Sequence, residues 1–239
     1  VKVLVAFLSS VNGDKYIGFQ HPENIHNRTE NRHRASAIIF KQDIPNHNDF
    51  ILFDNNDYLN LKTYIRRKKK DILCIRSCII VYDLRFNIIY ASVWLDHLGG
   101  GQTGLNERLA CFEMINRCIG EQIADKLEER IGLRRHPYDK KPRIIIGGDF
   151  NDHNAPKLFR QEIPFSSFGR NYSIKVPNTR GDLHSCCHSS YDLTSDYIFD
   201  KEDSKAVWCG VPRNFHNNTV EKQSQLMSDH IPIVLETTT

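Results

Sequence analysis

The run Arg143-Ile144-Ile145-Ile146, closing in Gly147-Gly148-Asp149-Phe150-Asn151, constrains this chain more than any other segment. A short β-branched apolar run reads as a buried strand, and glycines at its end let the backbone turn and approach a ligand closely. An acid and an amide one residue apart then leave the sheet together. Nearer the C-terminus, Ser228-Asp229-His230 leads into Ile231-Pro232-Ile233-Val234, a strand that Pro232 confines to an edge or a strand start. An imidazole beside a carboxylate suits general base chemistry near neutral pH. Taken singly, Gly-Asp-x-Asn is an ordinary turn and Ser-Asp-His an ordinary loop. From average residue usage each tripeptide core arises by chance in a few per cent of chains this long, so the ordered pair is a roughly one-in-a-thousand coincidence. Both segments are therefore assigned to a site.

With 239 residues, 40% of them hydrophobic, the chain can bury one large core, and nothing marks a second domain, so a single domain over residues 1–239 is expected. No stretch of eighteen apolar residues exists, and residues 1–8 are too short and poorly flanked for a signal peptide, which predicts a soluble protein without a membrane partner. The sequence begins without Met, so residues ahead of Val1 are expected. Seven cysteines, an odd number with three inside apolar periodic segments, favour reduced thiols and an intracellular location in cytoplasm or nucleus. Asn27-Arg28-Thr29, Asn171-Tyr172-Ser173 and Asn217-Asn218-Thr219 match the glycosylation sequon and keep a secreted origin open. No Cys/His set has zinc-finger spacing. The net charge of +3 and pI near 8.4 suit a polyanionic partner while falling well short of a histone-like balance. Locally, Arg66-Arg67-Lys68-Lys69-Lys70 reads as a phosphate contact, a nuclear address or a solvated loop.

Strand-like runs fall at residues 3–7, 37–40, 72–82, 88–95, 144–148, 193–199 and 231–235, with polar turns between them. Residues 79–82 and 88–91 are predicted to pair as a hairpin across the loop 83–87. Leu105, Leu109, Phe112, Ile115, Ile119, Ile123, Leu127 and Ile131 recur every three or four residues, predicting one long helix that covers a sheet face and ends at Gly132. Gly99-Gly100-Gly101 reads as a loop rather than a phosphate cradle, because no Gly-Lys-Ser/Thr follows. The chain has no internal repeat.

At this point a specific resemblance appears. His97-Leu98 at a strand end, Asp149-Phe150-Asn151, Asp196-Tyr197-Ile198 and Ser228-Asp229-His230-Ile231-Pro232 stand in the order of the endonuclease/exonuclease/phosphatase superfamily, which the chain resembles over roughly residues 30–235. Arg108, eleven residues after His97, stands where that family often keeps an Arg. The resemblance implies an α/β fold, a four-layer sandwich of two mixed β-sheets flanked by helices. It further implies phosphoester hydrolysis at one end of the sandwich with a divalent metal, Mg2+ or Mn2+. Such a reaction needs a water deprotonated, the phosphorane oxygens stabilised and the leaving oxygen neutralised.

By the same resemblance His230 is the general base or phosphate ligand, Asp196 orients it, and Asp229 binds metal. Asp149 and Asn151 position water and phosphate, and His97, with Arg108, contacts phosphate or protonates the leaving oxygen. The family pattern opens with a strand carrying Asn and a second strand ending in Gln-Glu, whose carboxylate is the main metal ligand; neither stands clear in this sequence. Two alignments follow. In one, residues 4–11 form the second strand, Ser10 replaces the Glu and the first motif lies before Val1. In the other, residues 3–8 are the first strand, residues 37–43 the second, and Asp43 supplies the carboxylate. The expected activity is that of a metal-dependent phosphodiesterase acting on nucleic acid, DNA above RNA. The alternatives are an impaired member serving as a binding scaffold, and a phosphoesterase of another substrate class.

Overall fold

The computed structural model describes residues 2–20, 36–42, 46–52, 64–67, 70–73, 75–95, 143–151, 196–200, 206–210 and 234–237. Along the chain, helix α1 (Lys2–Asn12) precedes β1 (Lys15–Gln20), β2 (Ala37–Gln42), a single 3-10 turn (His47–Asp49) and β3 (Phe50–Leu52). Then come β4 (Tyr64–Arg67), β5 (Lys70–Leu73), β6 (Ile75–Asp83), β7 (Ile88–Leu95), β8 (Arg143–Asp149), β9 (Asp196–Asp200), β10 (Ala206–Gly210) and β11 (Val234–Thr237). A five-stranded sheet in the order β3-β6-β7-β8-β9 is the centre, and β1-β2, β4-β5 and β10-β11 form two-stranded sheets.

The central sheet is mixed because β7 and β8 run parallel while its other pairs are antiparallel. Antiparallel strands can be joined by a tight loop, and parallel neighbours need a long crossover. The sequence supplies both. β6 and β7 form the predicted hairpin, with Tyr82 opposite Ile89 and Ile79 opposite Ser92. Residues 96–142 separate β7 from β8, which is room for a crossover helix; the helix predicted over 105–131 lies outside the described residues.

Both faces of the sheet are covered. Burial along β7 alternates strictly, with Ile89, Ala91, Val93 and Leu95 on the closed face. Ile144 and Ile146 of β8, opposite Ile89 and Ala91, continue that face and are fully buried. On the other face Ile79 and Val81 meet Ile17 and Phe19 of β1 and Phe50 of β3, with Ile38 and Phe40 of β2 packed against them. The Phe40 ring lies 4.7 Å from Phe50 and 5.1 Å from Tyr90, so the β1-β2 sheet stacks on the central one through aromatic contacts. Sheet on sheet with a mixed central layer is the α/β sandwich, and each fully buried Ile contributes about 1.5–3 kcal/mol.

One end of the sheet is pinned by a polar knot. Asp83, 1% exposed, accepts from the Arg85 backbone N–H (3.0 Å), Nε (3.0 Å) and Nη2 (2.6 Å). The hydrogen bond to Asp83 raises the Arg85 pKa above its ordinary value, with burial opposing. The Arg85 guanidinium lies over Phe50 and Phe86, the Leu84 N–H donates to Asp49 O, and the Arg143 N–H donates to Asn87 O. The turn thereby ties β3, β6, β7 and β8 together.

Residues 3–7, expected as a strand, are helical. Val3 and Val5 suggested a strand, yet positions 3, 4, 7, 8 and 11 are apolar at helical spacing, and Asn12-Gly13 is a helix stop. Gly13 at φ 69° donates its N–H to Ser9 O at 3.1 Å, the left-handed cap that ends α1. The expected strand over 72–82 is divided into β5 and β6 at Cys74, and β1, β3, β4 and β10 were not anticipated.

Asp83→Ala is expected to cost about 2–3 kcal/mol, below the full loss for a deeply buried pair because Arg85 is one-third exposed. Urea unfolding should show a lower midpoint at unchanged slope; an unchanged midpoint would mean the knot is dispensable.

Candidate active site at one end of the central sheet

At the end opposite the knot, three strand ends converge. Because β7 and β8 are parallel, Trp94 stands opposite Asp149 and both C-terminal ends reach one edge. Because β9 is antiparallel to β8, its first residue, Asp196, stands opposite Asp149 at that edge. Two acids 47 positions apart in sequence thus become register partners.

Gly148 makes the approach possible. It adopts φ 143°, and a Cβ there would lie 1.9 Å from Val93 O, so no other residue fits without moving β7. Phe150, fully buried, then anchors the turn, and Asn151 adopts the left-handed region at φ 48°, which Asn tolerates better than most residues. The turn closes on itself: the Asn151 N–H donates to Asp149 Oδ1 at 2.9 Å, and Asn151 Nδ2 donates to Asp149 Oδ2 at 3.1 Å. Nδ2 also donates to Leu95 O at 2.8 Å, tying the β8 end to the β7 end. His97 follows Leu95 by two residues in sequence. Asp149 and Asn151 are half-buried, so the carboxylate is held in a fixed pose by a sheltered amide.

Of the residues expected at the site, Asp149, Asn151 and the backbone position of Asp196 are brought together. His97, Arg108, Asp229, His230 and Asp43 lie outside the described residues. Among the described residues no group of three or more His, Cys, Asp or Glu is placed to hold a metal. The described donors at this edge are nevertheless hard carboxylate and amide oxygens, the kind that suits Mg2+ or Mn2+.

Both N-terminal alignments fail at the strand each places within residues 3–11, which is helical. Ser10, taken as the replacement for the family glutamate at a strand end, is a helical residue whose Oγ donates to Phe7 O at 2.7 Å. Residues 3–8 lie in that same helix, and in the second alignment only β2 survives, ending at Gln42 just before Asp43. The strand that follows α1 and ends in glutamine is β1, at Gln20, and the next residue in sequence is His21 rather than a glutamate. Tyr16-Ile17-Gly18-Phe19 carried the signal for β1, alternating about a buried Ile17 and Phe19.

Several solved structures superpose on the chain. An endonuclease/exonuclease/phosphatase family protein from Leptotrichia buccalis C-1013-b superposes with a TM-score of 0.54 at 14% identity, covering 100% of this chain and 77% of that one. The endonuclease/exonuclease/phosphatase from Bacteroides vulgatus gives 0.48 at 16% identity, over 93% of this chain and 77% of that one. The mannosyl-6-phosphatase of Bacteroides thetaiotaomicron VPI-5482 gives 0.45 at 16% identity, over 100% and 82%. No protein-family model matches the sequence, and neither does any curated protein. The chain has the endonuclease/exonuclease/phosphatase fold, as its motif order implied; the first of these superpositions carries that assignment.

Gly148→Ala is expected to cost more than about 3 kcal/mol, since backbone must move to admit the methyl group. A circular dichroism melt reads this, and an unshifted midpoint would refute the close approach. Asp196→Asn should behave oppositely. Like charges directly opposite cost about 0.2–1 kcal/mol, so neutralising one should leave the melting midpoint unchanged or raise it by up to about 4 °C. A clear drop would mean that Asp196 is held by a structural partner instead.

Proposed function

We propose that this protein is a metal-dependent phosphodiesterase that cleaves nucleic acid, DNA above RNA. The observation that carries the reading is the convergence of Asp149, Asn151 and Asp196 at one sheet edge, with both Asp149 oxygens already held by Asn151. The fold supports phosphoester hydrolysis as the reaction class. A mildly basic chain supports the choice of substrate.

In this reading Asn151 and Asp149 orient the phosphate and the attacking water. His230 takes the proton of that water, and Asp196 fixes the imidazole in the tautomer that accepts it. His97 and Arg108 contact the phosphate oxygens, and His97 donates a proton to the leaving oxygen. Asp229, with Asp43 as the second candidate ligand, would hold a hard divalent cation, Mg2+ or Mn2+, which supplies charge neutralisation on the phosphorane. An intracellular site of action in cytoplasm or nucleus accompanies this reading, supported by the odd cysteine count.

One feature favours a second reading, a domain that keeps the groove and has lost turnover. His21, not an acid, follows the Gln20 that ends β1, and imidazole is a poorer partner than carboxylate for Mg2+.

The deciding measurement is nicking of supercoiled plasmid and of an abasic duplex across a titration of Mg2+ and Mn2+. The unmodified protein is expected to nick, and Asp149→Ala and His230→Ala to lower the rate by about a hundredfold or more. Unmodified protein that stays inactive at every metal concentration would sink the nuclease reading.

A further inference from the structure

We propose that the β4–β5 hairpin is an arm that grips the backbone of a nucleic-acid substrate beside the catalytic edge, taking phosphates away from the scissile one; this rests on the nucleic-acid reading above. The chain tethers it to that end. β5 ends at Leu73, and after Cys74 the chain enters β6 at Ile75, opposite Leu95 at the C-terminal end of β7. That is the end of the sheet at which Asp149 faces Trp94 and Asp196 faces Asp149. Neighbouring strands are about 4.8 Å apart, so Ile75 and Asp149, two strands apart, are separated by about 10 Å. From Ile75 back to Arg67 is eight residues of near-extended chain, a reach of at most about 27 Å. At about 3.4 Å of duplex axis per phosphate on one strand, an arm of that reach meets phosphates within several base pairs of the one being cut.

The charge on the arm is concentrated. Residues 64–73 hold Arg66, Arg67, Lys68, Lys69 and Lys70 against Asp71 alone, a net of +4 in a chain whose total is +3. The remainder of the chain is therefore slightly acidic, with a net of −1, and a polyanion approaching it is drawn to this segment.

The hairpin is also built against its own stability. Arg66 stands opposite Asp71, a favourable cross-strand pair, whereas Arg67 stands opposite Lys70, a like-charge pair next to the turn. The two connecting residues are both Lys, without the Gly, Asn or Asp that favours a tight hairpin turn. The register sets Arg67 and Lys70 as like-charged partners, a pairing that an anion between the two strands would favour.

The test uses the full chain and the variant Arg66→Gln/Arg67→Gln/Lys70→Gln, titrated with fluorescent single- and double-stranded oligonucleotides over a range of salt. Turnover of bis(p-nitrophenyl) phosphate, a diester too small to reach the arm, is measured alongside. The triple variant is expected to bind duplex about tenfold or more weakly, with the slope of log affinity against log salt shallower by about 2 to 3. Small-diester turnover should match the parent within about twofold, since contacts to distant phosphates position a polymer and play no part in binding a small diester. The charge-keeping variant Arg66→Lys/Arg67→Lys/Lys70→Arg should retain the parent slope.

Equal affinity and slope in parent and triple variant overturn the arm and leave the nucleic-acid reading standing. Equal losses in the charge-keeping and charge-removing variants make the segment structural and overturn it as well. A parent that turns over the small diester and binds neither oligonucleotide overturns both readings at once. If that parent instead binds phosphatidylserine vesicles through these residues, the arm belongs to a lipid surface and the proposal falls.

Discussion

The close approach of β8 to β7 at Gly148 is the constraint on which the rest of the structure depends. With no side chain between Gly148 and Val93 O, the two strands lie in parallel register to their last residues. Parallel register sends both ends to the same edge, and the Asn151 amide, reaching Leu95 O, holds them there. Were β8 displaced by even one methyl group, Asp149 would lose its place beside β7 and its register with Asp196. A backbone contact of this kind tolerates no compensating rotamer, which is why a glycine and not a small side chain stands at the position.

The two ends of the central sheet have opposite electrostatic character. At the Asp83 end an acid is fully paired, with three donors on its two oxygens and a guanidinium stacked over two rings. At the Asp149 end two acids share a register step, and the turn that follows contains a left-handed Asn. The first arrangement stabilises the sheet; the second costs stability locally and persists because the strands beneath it are fixed elsewhere. The hydrophobic layer between β1-β2 and the central sheet supplies that fixing.

The strands carrying the site were legible because each has a simple pattern. β7 alternates, β8 is a β-branched run closed by glycines, and the β6–β7 loop holds Asp and Asn at its corners. The order of motifs revealed the fold, since the residues that leave strand ends are the ones chemistry restricts. Residues 3–7 read as a strand because β-branched residues at 3 and 5 outweigh a helical spacing that continues to position 11. β3 is only three residues long, and β4 is four residues of which two are Arg, so neither stands out from loops. The pairing of Asp149 with Asp196 was beyond any local pattern, because which strand lies beside β8 is decided by tertiary packing.

That pairing also bears on what the edge can bind. Both Asp149 oxygens accept hydrogen bonds from Asn151, an arrangement that suits a carboxylate. Asp196 shares its register step, so the backbone brings a second acid to the same edge. In the proposed mechanism His230 and Asp229 would bring an imidazole and a cation to this edge, where two neighbouring acids favour positive charge.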